Sequence, residues 1–524
     1  MTHYFVAILD LLLLVYFVYV GLKNQNKKIW ILAFAQILLF LPAEYFAQNF
    51  DGANFIIDKL SLFMMIIINL IGGAINIYAV YYMKYENSKK LKKTAFLIYL
   101  WIFLIIMNLA VASNNLLYFF FFFELTTLSS FLLISFRGDD VSRKNSQNAL
   151  VLNQIGGLFL LIAVLINELN GHSIYMNQII ENKDFISSAL IFIAFAAFVK
   201  GACKPFESWL LGAMVAPTPV SALLHSATMV KIAPFLILKF APIFTSDISF
   251  LIQLLGMFLF FVFALEGLNK NSFKEILAYS TISMLALMIS VSAINSPISM
   301  QIAMWLIFFH AISKAILFML AGILEKIYHI KNIDELSNFY STNKNLALMI
   351  LISFASVTLP PFGMFFAKLF FLQYLASAVG DNIFNIAILI FFALGSSVLV
   401  LLYFKIASLL MSQNAQDLPK SKVDFGLLAP NYFLFLMMAI AVIYVGQSFD
   451  VWNLIVIFGT IFAVLLISVL KVRFQNIQKV QVYACGEKTE QVVGQFYFDF
   501  SKFGKLFLAS SFALWAAIFL GGLI

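Results

Sequence analysis

Charge is what this sequence has little of. Acidic and basic residues make up 11% of its 524 positions and hydrophobic residues 63%, whereas charged residues are about 25% of a soluble globular protein. A water-soluble domain is excluded by that balance. Cysteine is scarcer still. Cys203 and Cys485 are far apart and lack a CxxC or histidine-rich neighbourhood, which argues against a disulfide framework, a zinc site or an iron–sulfur cluster. No catalytic, cofactor-binding or metal-binding residues are therefore expected on this chain. Carboxylates inside apolar runs are also few, which weighs against a dedicated metal-cation site.

Apolar runs of about 20 residues recur along the chain, each long enough to cross a hydrocarbon layer of about 30 Å as a helix. They lie near 4–22, 29–47, 60–82, 94–111, 115–136, 148–168, 185–203, 217–240, 249–267, 275–293, 299–324, 346–378, 383–411, 429–447, 452–470 and 503–523. The expected fold is an all-α polytopic membrane protein with about fourteen to sixteen transmembrane helices. The first segment has no basic stretch before it and no small-residue cleavage site after it, so it is expected to be retained as a helix. Lysine and arginine collect in alternate gaps: Lys23, Lys27 and Lys28; Lys84 and Lys89 to Lys93; Arg137, Arg143 and Lys144; Lys270 and Lys274; Lys326, Lys331 and Lys344; Lys420 and Lys422; Lys471, Arg473 and Lys479. The intervening gaps carry Asp51, Asp184, Asp247, Asp381 and Asp450. The positive-inside rule then puts the basic gaps in the cytoplasm and both termini outside, in a bacterial inner membrane. It also accounts for the net charge of +8 without nucleic acid or an acidic substrate.

Two runs are interrupted by proline, one at Lys204-Pro205 and one at Leu359-Pro360-Pro361-Phe362-Gly363. Proline removes a backbone donor, and transporters place such breaks at mid-membrane ion sites. Ionisable residues sit close to both. Glu124 follows the aromatic run Tyr118 to Phe123; Lys200 precedes the first break; His225, Lys231, His310 and Lys314 occupy two further runs; Lys368 follows the second break. His310 and Lys314 are four apart and share a helical face, so a proton can pass between them directly or through water. Desolvation makes a buried amine release its proton and a nearby carboxylate makes it hold on, so charge movement between Glu124 and Lys200 is a physical basis for pumping. Plainer readings exist for each residue taken alone: helix contacts for Glu124, a structural hydrogen bond for His225, snorkelling for Lys231 and Lys274. Asp10, Glu44, Asp58 and Glu266 lie near predicted helix ends and are read as structural.

The stretch KGACKPFESWLLGAMVAPTPVSALLHSATMVK, from Lys200 to Lys231, resembles the antiporter-like subunits of complex I, membrane-bound NiFe hydrogenases and multi-subunit cation/proton antiporters. FFFELTTLSSFLLISF around Glu124, FKEILAYSTISML from Phe273, FFHAISKAILFML from Phe308 and TLPPFGMFFAKLFF from Thr358 agree in the same order. The resemblance implies an inverted pair of five-helix repeats, 94–242 and 249–411, between N-terminal helices in 1–111 and C-terminal helices in 412–524 that include a short spacer at 471–502. It implies that Glu124 and Lys200 form a charge pair, that His225, Lys274, His310 and Lys314 lie on a central hydrophilic axis, and that Lys368 stands at the proton exit. Three positions depart from the family pattern: Leu211-Gly212 within the WLPDAM motif, Ser272 before the LAYST lysine, and Leu306 one turn before His310. Lys368 resembles the lysine of the distal complex I subunit and of its hydrogenase counterpart, and the WLLGAM variant with the segment Tyr483 to Lys488 resembles the hydrogenase branch. The expected function is a proton-translocating subunit of a hydrogenase or complex I-type oxidoreductase, with NiFe, Fe–S or FMN groups on partner subunits. The alternatives are a subunit of a cation/proton antiporter and one of an inorganic-carbon uptake complex. The 60 phenylalanines offer ample surface for partner helices or lipid.

Overall fold

The computed structural model describes residues 54–86, 90–183, 185–337, 339–360, 362–378, 385–411, 421–446 and 504–521. In an apolar layer every backbone N–H and C=O must be satisfied internally, so the long apolar runs become helices. In chain order these are α1 (Lys59–Tyr82), α2 (Lys90–Ala112), α3 (Leu116–Ile134), α4 (Asp140–Leu169), α5 (Met176–Asn182), α6 (Ser187–Lys200), α7 (Ser208–Gly212), α8 (Thr218–Ser226) and α9 (Ile232–Phe240). The chain continues with α10 (Ser246–Leu268), α11 (Phe273–Ser292), α12 (Pro297–Ile327), α13 (Phe339–Thr342), α14 (Lys344–Thr358), α15 (Gly363–Ala378), α16 (Asn385–Met411), α17 (Phe425–Gly446) and α18 (Gly504–Gly521). Among the described residues 11 stretches are long and apolar enough to span a membrane, and Ser187–Lys200 and Phe507–Ala517 are shorter apolar helices. The chain is thus an all-α polytopic membrane protein. Predicted spans at 4–22, 29–47 and 452–470, the 471–502 spacer, and residues Asp10, Glu44 and Cys485 lie outside the described residues.

Burial sorts the helices into centre and periphery. Residues 218–238 are buried throughout and most of α12 is buried, whereas most residues of α16 and α17 are not. The centre of the bundle is therefore α8, α9, α11 and α12, and it is there that polar side chains accumulate. The sequence predicts one continuous helix over 217–240. The structure instead interrupts it between α8 and α9, with Thr228 at φ −121 and ψ −109. The hydroxyls of Ser226 and Thr228 donate to the carbonyls of Ala222 at 2.5 Å and Leu223 at 2.8 Å, and Pro234 supplies no N–H in the next turn. Side-chain bonds replace ladder bonds here, which explains a third interruption beyond the two marked by proline.

The two ends of the bundle are held by charge. At the basic end Glu86 lies 2.8 Å from Lys326 and 3.5 Å from Arg137. Gly138 at φ +75 lets the chain turn sharply there. The Asp139 carboxyl caps α4 and is held below its usual pKa by hydrogen bonds from Ser142. At the opposite end Asp58 accepts from Ser61 N at 2.7 Å as the N-cap of α1 and from Lys239 at 2.5 Å at the end of α9. Its assignment as structural holds.

Asp58→Ala removes both bonds and is expected to cost about 1–2 kcal/mol, mostly as the lost cap. Asp58→Asn keeps an acceptor for Ser61 and should cost less. Thermal unfolding in detergent measures this, and an equal loss in both variants would assign the stability to the Lys239 pair instead.

Candidate functional site

α6 starts at the end opposite Arg137 and Lys326, and at about 1.5 Å per residue its 14 residues carry Lys200 deep into the apolar layer. The chain then unwinds through Gly201 to Pro205, with Ala202 at φ +54 and a cis Lys204-Pro205 bond. A left-handed alanine is strained and persists only where its surroundings enforce it. The Lys200 side chain is fully buried. Its Nζ donates to Thr127 Oγ1 at 2.7 Å, Thr126 Oγ1 at 3.1 Å and the Phe123 carbonyl at 3.3 Å, and it lies 4.1 Å from the centroid of the Phe123 ring. All these partners are on α3, the helix that carries Glu124. The aromatic run before Glu124 thus provides a cation–π face for the amine.

Glu124 and Lys200 are near enough to interact electrostatically but form no direct salt bridge. Glu124 Oε1 is buried without a hydrogen-bond partner and packs on Gly157 of α4, where any Cβ would collide with the carboxyl. A glycine is thus required to seat this carboxylate.

The second group gathers where α8, α9, α11 and α12 meet. Lys231 is fully buried, so it does not snorkel; its Nζ lies 2.7 Å from His310 Nδ1 and 3.3 Å from Met288 Sδ. One proton can sit on either the amine or the imidazole, and the ring's tautomer follows from that choice. His310 Nε2 and both nitrogens of His225 are buried without a partner, and the His225 ring lies 4.6 Å from that of Phe318. Lys314, one turn beyond His310, turns instead to α11, donating to Ser280 Oγ at 2.5 Å and the Leu277 carbonyl at 3.1 Å. Lys274, in the first turn of α11, pairs with Glu325 of α12. Thr218 Oγ1 lies 3.4 Å from the same carboxylate and 3.3 Å from Tyr82 Oη. Ser272 is the N-cap residue of α11, and Leu306 is packed in the apolar core.

The third position is Lys368, on α15 just past the second break. Its Nζ donates to the carbonyl of Val357 at 3.2 Å, a bond between the two halves of the broken helix. Pro360 lies in that break, while Pro361 falls outside the described residues. Gly363 allows the closest approach: a Cβ there would collide with the Phe309 ring of α12. The hydroxyls of Ser313, next to Lys314 in α12, and Ser356, next to Val357 in α14, lie 2.6 Å apart.

Sequence reasoning missed Ser313, Ser356, Glu325 and Glu86, and it placed Glu266 on the structural side. Glu266 pairs with Lys204 near the end of α10, a contact that fits that reading. The available signal was a deficit: buried Lys204 and Lys274 each require a carboxylate, and Glu266 and Glu325 are the acids near the ends of facing helices.

Residues 113–395 match the family described as NADH:quinone oxidoreductase/Mrp antiporter, TM, and residues 52–90 match NADH-Ubiquinone oxidoreductase (complex I), chain 5 N-terminus. The chain belongs to this antiporter-like family of membrane subunits. The Na(+)/H(+) antiporter subunit A1 of Staphylococcus haemolyticus (strain JCSC1435) is 29% identical over 406 residues, covering 73% of this chain and 49% of that protein. The subunit A1 of Staphylococcus aureus (strain MRSA252) is 31% identical over 365 residues, covering 65% of this chain and 45% of that protein. The chain spans about half the length of the curated relatives it matches. The matched segment of the antiporter-like family runs from just before α3 into α16 and so contains every ionisable residue of the three groups.

Gly157→Ala is expected to push the Glu124 carboxyl away from its seat and to slow proton movement through the assembled protein about tenfold, equivalent to about 1.4 kcal/mol. Gly156→Ala meets only Val199 side-chain atoms, at 3.0 and 3.1 Å, and the Ala196 carbonyl at 3.6 Å, and should have a smaller effect. Dye-reported proton flux in vesicles compares the two. Equal rates in both variants would show that the carboxyl position is unimportant.

Proposed function

We propose that this chain is a proton-conducting subunit of a multi-subunit cation/proton antiporter complex. The observation that carries the reading is the series of buried amines and imidazoles from Lys200 through Lys231, His310 and Lys314 to Lys368. An amine in hydrocarbon costs about 2.5–3.5 kcal/mol even on permissive scales, so a row of them kept within reach of hydroxyls and imidazoles is costly unless it moves charge. The partnerless nitrogens of His225 and His310 and the Ser313–Ser356 pair supply places where a proton wire continues between the amines.

The two breaks face opposite ways, since α6 reaches its break from the end opposite Arg137 and α14 reaches its break from the basic end. That antiparallel relation supports inverted repeats at 94–242 and 249–411. Under the positive-inside rule the basic end faces the cytoplasm of a bacterial plasma membrane.

The expected hydrogenase or complex I-type partners, with their NiFe, Fe–S or FMN groups, find no support in relatives named as Na(+)/H(+) antiporter subunits. Those names favour the cation/proton antiporter over a redox-coupled complex. Glu124 is the one carboxylate near the middle of a described span, and the charged group beside it is an amine, so we assign the proton leg to these residues and the cation leg to other parts of the complex.

The test is proton flux in everted vesicles holding the intact complex, started either by a sodium pulse or by a redox substrate. Lys200→Ala and Lys368→Ala are each expected to cut sodium-started flux at least tenfold with the complex still assembled. Flux at the wild-type rate in both variants would rule out conduction along this row. Flux that only a redox substrate starts would return the chain to the oxidoreductase class.

A further inference from the structure

The first broken helix holds a second ionisable cluster, on the basic side of Lys200 and separate from the Glu124 seat. Lys204, with a side chain 7% exposed, pairs with Glu266 near the end of α10 and lies 4.0 Å from Glu207. Its Nζ also lies 5.1 Å from the centroid of the Phe263 ring. The carboxylates are more open, at 20% for Glu207 and 18% for Glu266. Glu207 Oε2 has no hydrogen-bond partner. Asn148 donates to Ser208 at 3.2 Å on an exposed surface, which places this segment near the end of α4 that carries Arg143 and Lys144.

Two carboxylates share one ammonium, so one negative charge in the cluster is left over. A proton neutralises it without displacing anything. A metal ion does not fit as well, because the Lys204 ammonium already occupies the position between the two acids. Lys200 itself has no exposed surface and spends its donors on α3. A proton that reaches it from the basic end must first rest on a more exposed group, and Glu207, just past the unwound segment, and Glu266, near the end of α10, are such groups.

We propose that Glu207 and Glu266, arranged around Lys204, form the station that loads protons onto Lys200 from the basic end. The inference rests on the reading of Lys200 as a proton carrier. In the loading step a carboxylate oxygen of Glu207 takes a proton from water. The Lys204–Glu266 pair remains balanced. The proton then passes to the free amine of Lys200 when that group has delivered its own, restoring the Glu207 carboxylate and the Lys200 ammonium.

Sodium-started proton flux is measured in vesicles containing the whole complex for Glu207→Gln, Glu207→Asp, Lys200→Ala and the double variant Lys204→Gln with Glu266→Gln. The proposal expects Glu207→Gln to run at least fivefold slower than wild type and Glu207→Asp to recover most of the rate, since a purely structural side chain is not rescued by restoring a protonatable group. Removing both charges of the pair avoids leaving a buried ion alone, so the double variant should assemble and remain slow. If Glu207→Gln and the double variant run at the wild-type rate while Lys200→Ala is inactive, the loading station is wrong and the conduction reading stands. If Lys200→Ala also runs at the wild-type rate, both fall together.

Discussion

An ammonium group in hydrocarbon must have its donors met by oxygen, nitrogen or an aromatic face, and the rest of this fold is arranged around that requirement. Lys200 finds two threonine hydroxyls, a carbonyl and a phenyl ring on α3. Lys314 finds a serine and a carbonyl on α11, and Lys368 finds a carbonyl released at a helix break. None of these partners is a full countercharge. Each amine is held by dipoles alone, so the loss of a proton that the proposed conduction requires would tear apart no salt bridge. The full countercharges Glu86, Glu325 and Asp58 stand near helix ends, and there they fasten helices together.

The breaks follow from the same requirement. A continuous helix commits its carbonyls to its own ladder, so a lysine beside it can only share one, as Lys200 shares that of Phe123 and Lys314 that of Leu277. Unwinding a few residues frees oxygen atoms at the depth where an amine needs them, as Val357 does for Lys368. The interruption between α8 and α9 works through hydroxyls in place of proline and leaves His225 and Lys231 on either side of it. Mechanical weakness and solvation of charge are supplied by one device.

Much of the architecture is legible in the sequence because it is local. Span length, the alternation of basic gaps, the two proline breaks and the four-residue spacing of His310 and Lys314 are all written in neighbouring residues. The pairing of distant helices is not. Lys204 and Glu266 are 62 positions apart, Lys274 and Glu325 are 51 apart, and Ser313 and Ser356 are 43 apart. No periodicity links such residues; only packing does. The same limit explains why Glu266 reads as a helix-end acid, and why the expected Glu124–Lys200 ion pair resolves into a lysine bound to threonines beside a carboxyl seated on Gly157. The interruption at Thr228 is harder to read because serine and threonine hydroxyls produce it together with Pro234, six residues further on.

Trp515 of α18 donates its indole N–H to the carbonyl of Lys204 at 2.9 Å, across 311 positions of sequence, with its ring against Phe195, Phe198 and Phe206. A ribosome delivers the first broken helix to the membrane long before it delivers that tryptophan. Throughout synthesis of the intervening helices the Lys204 carbonyl lacks this donor. Its local geometry is therefore completed only once α18 has been made, 311 positions after the backbone it closes.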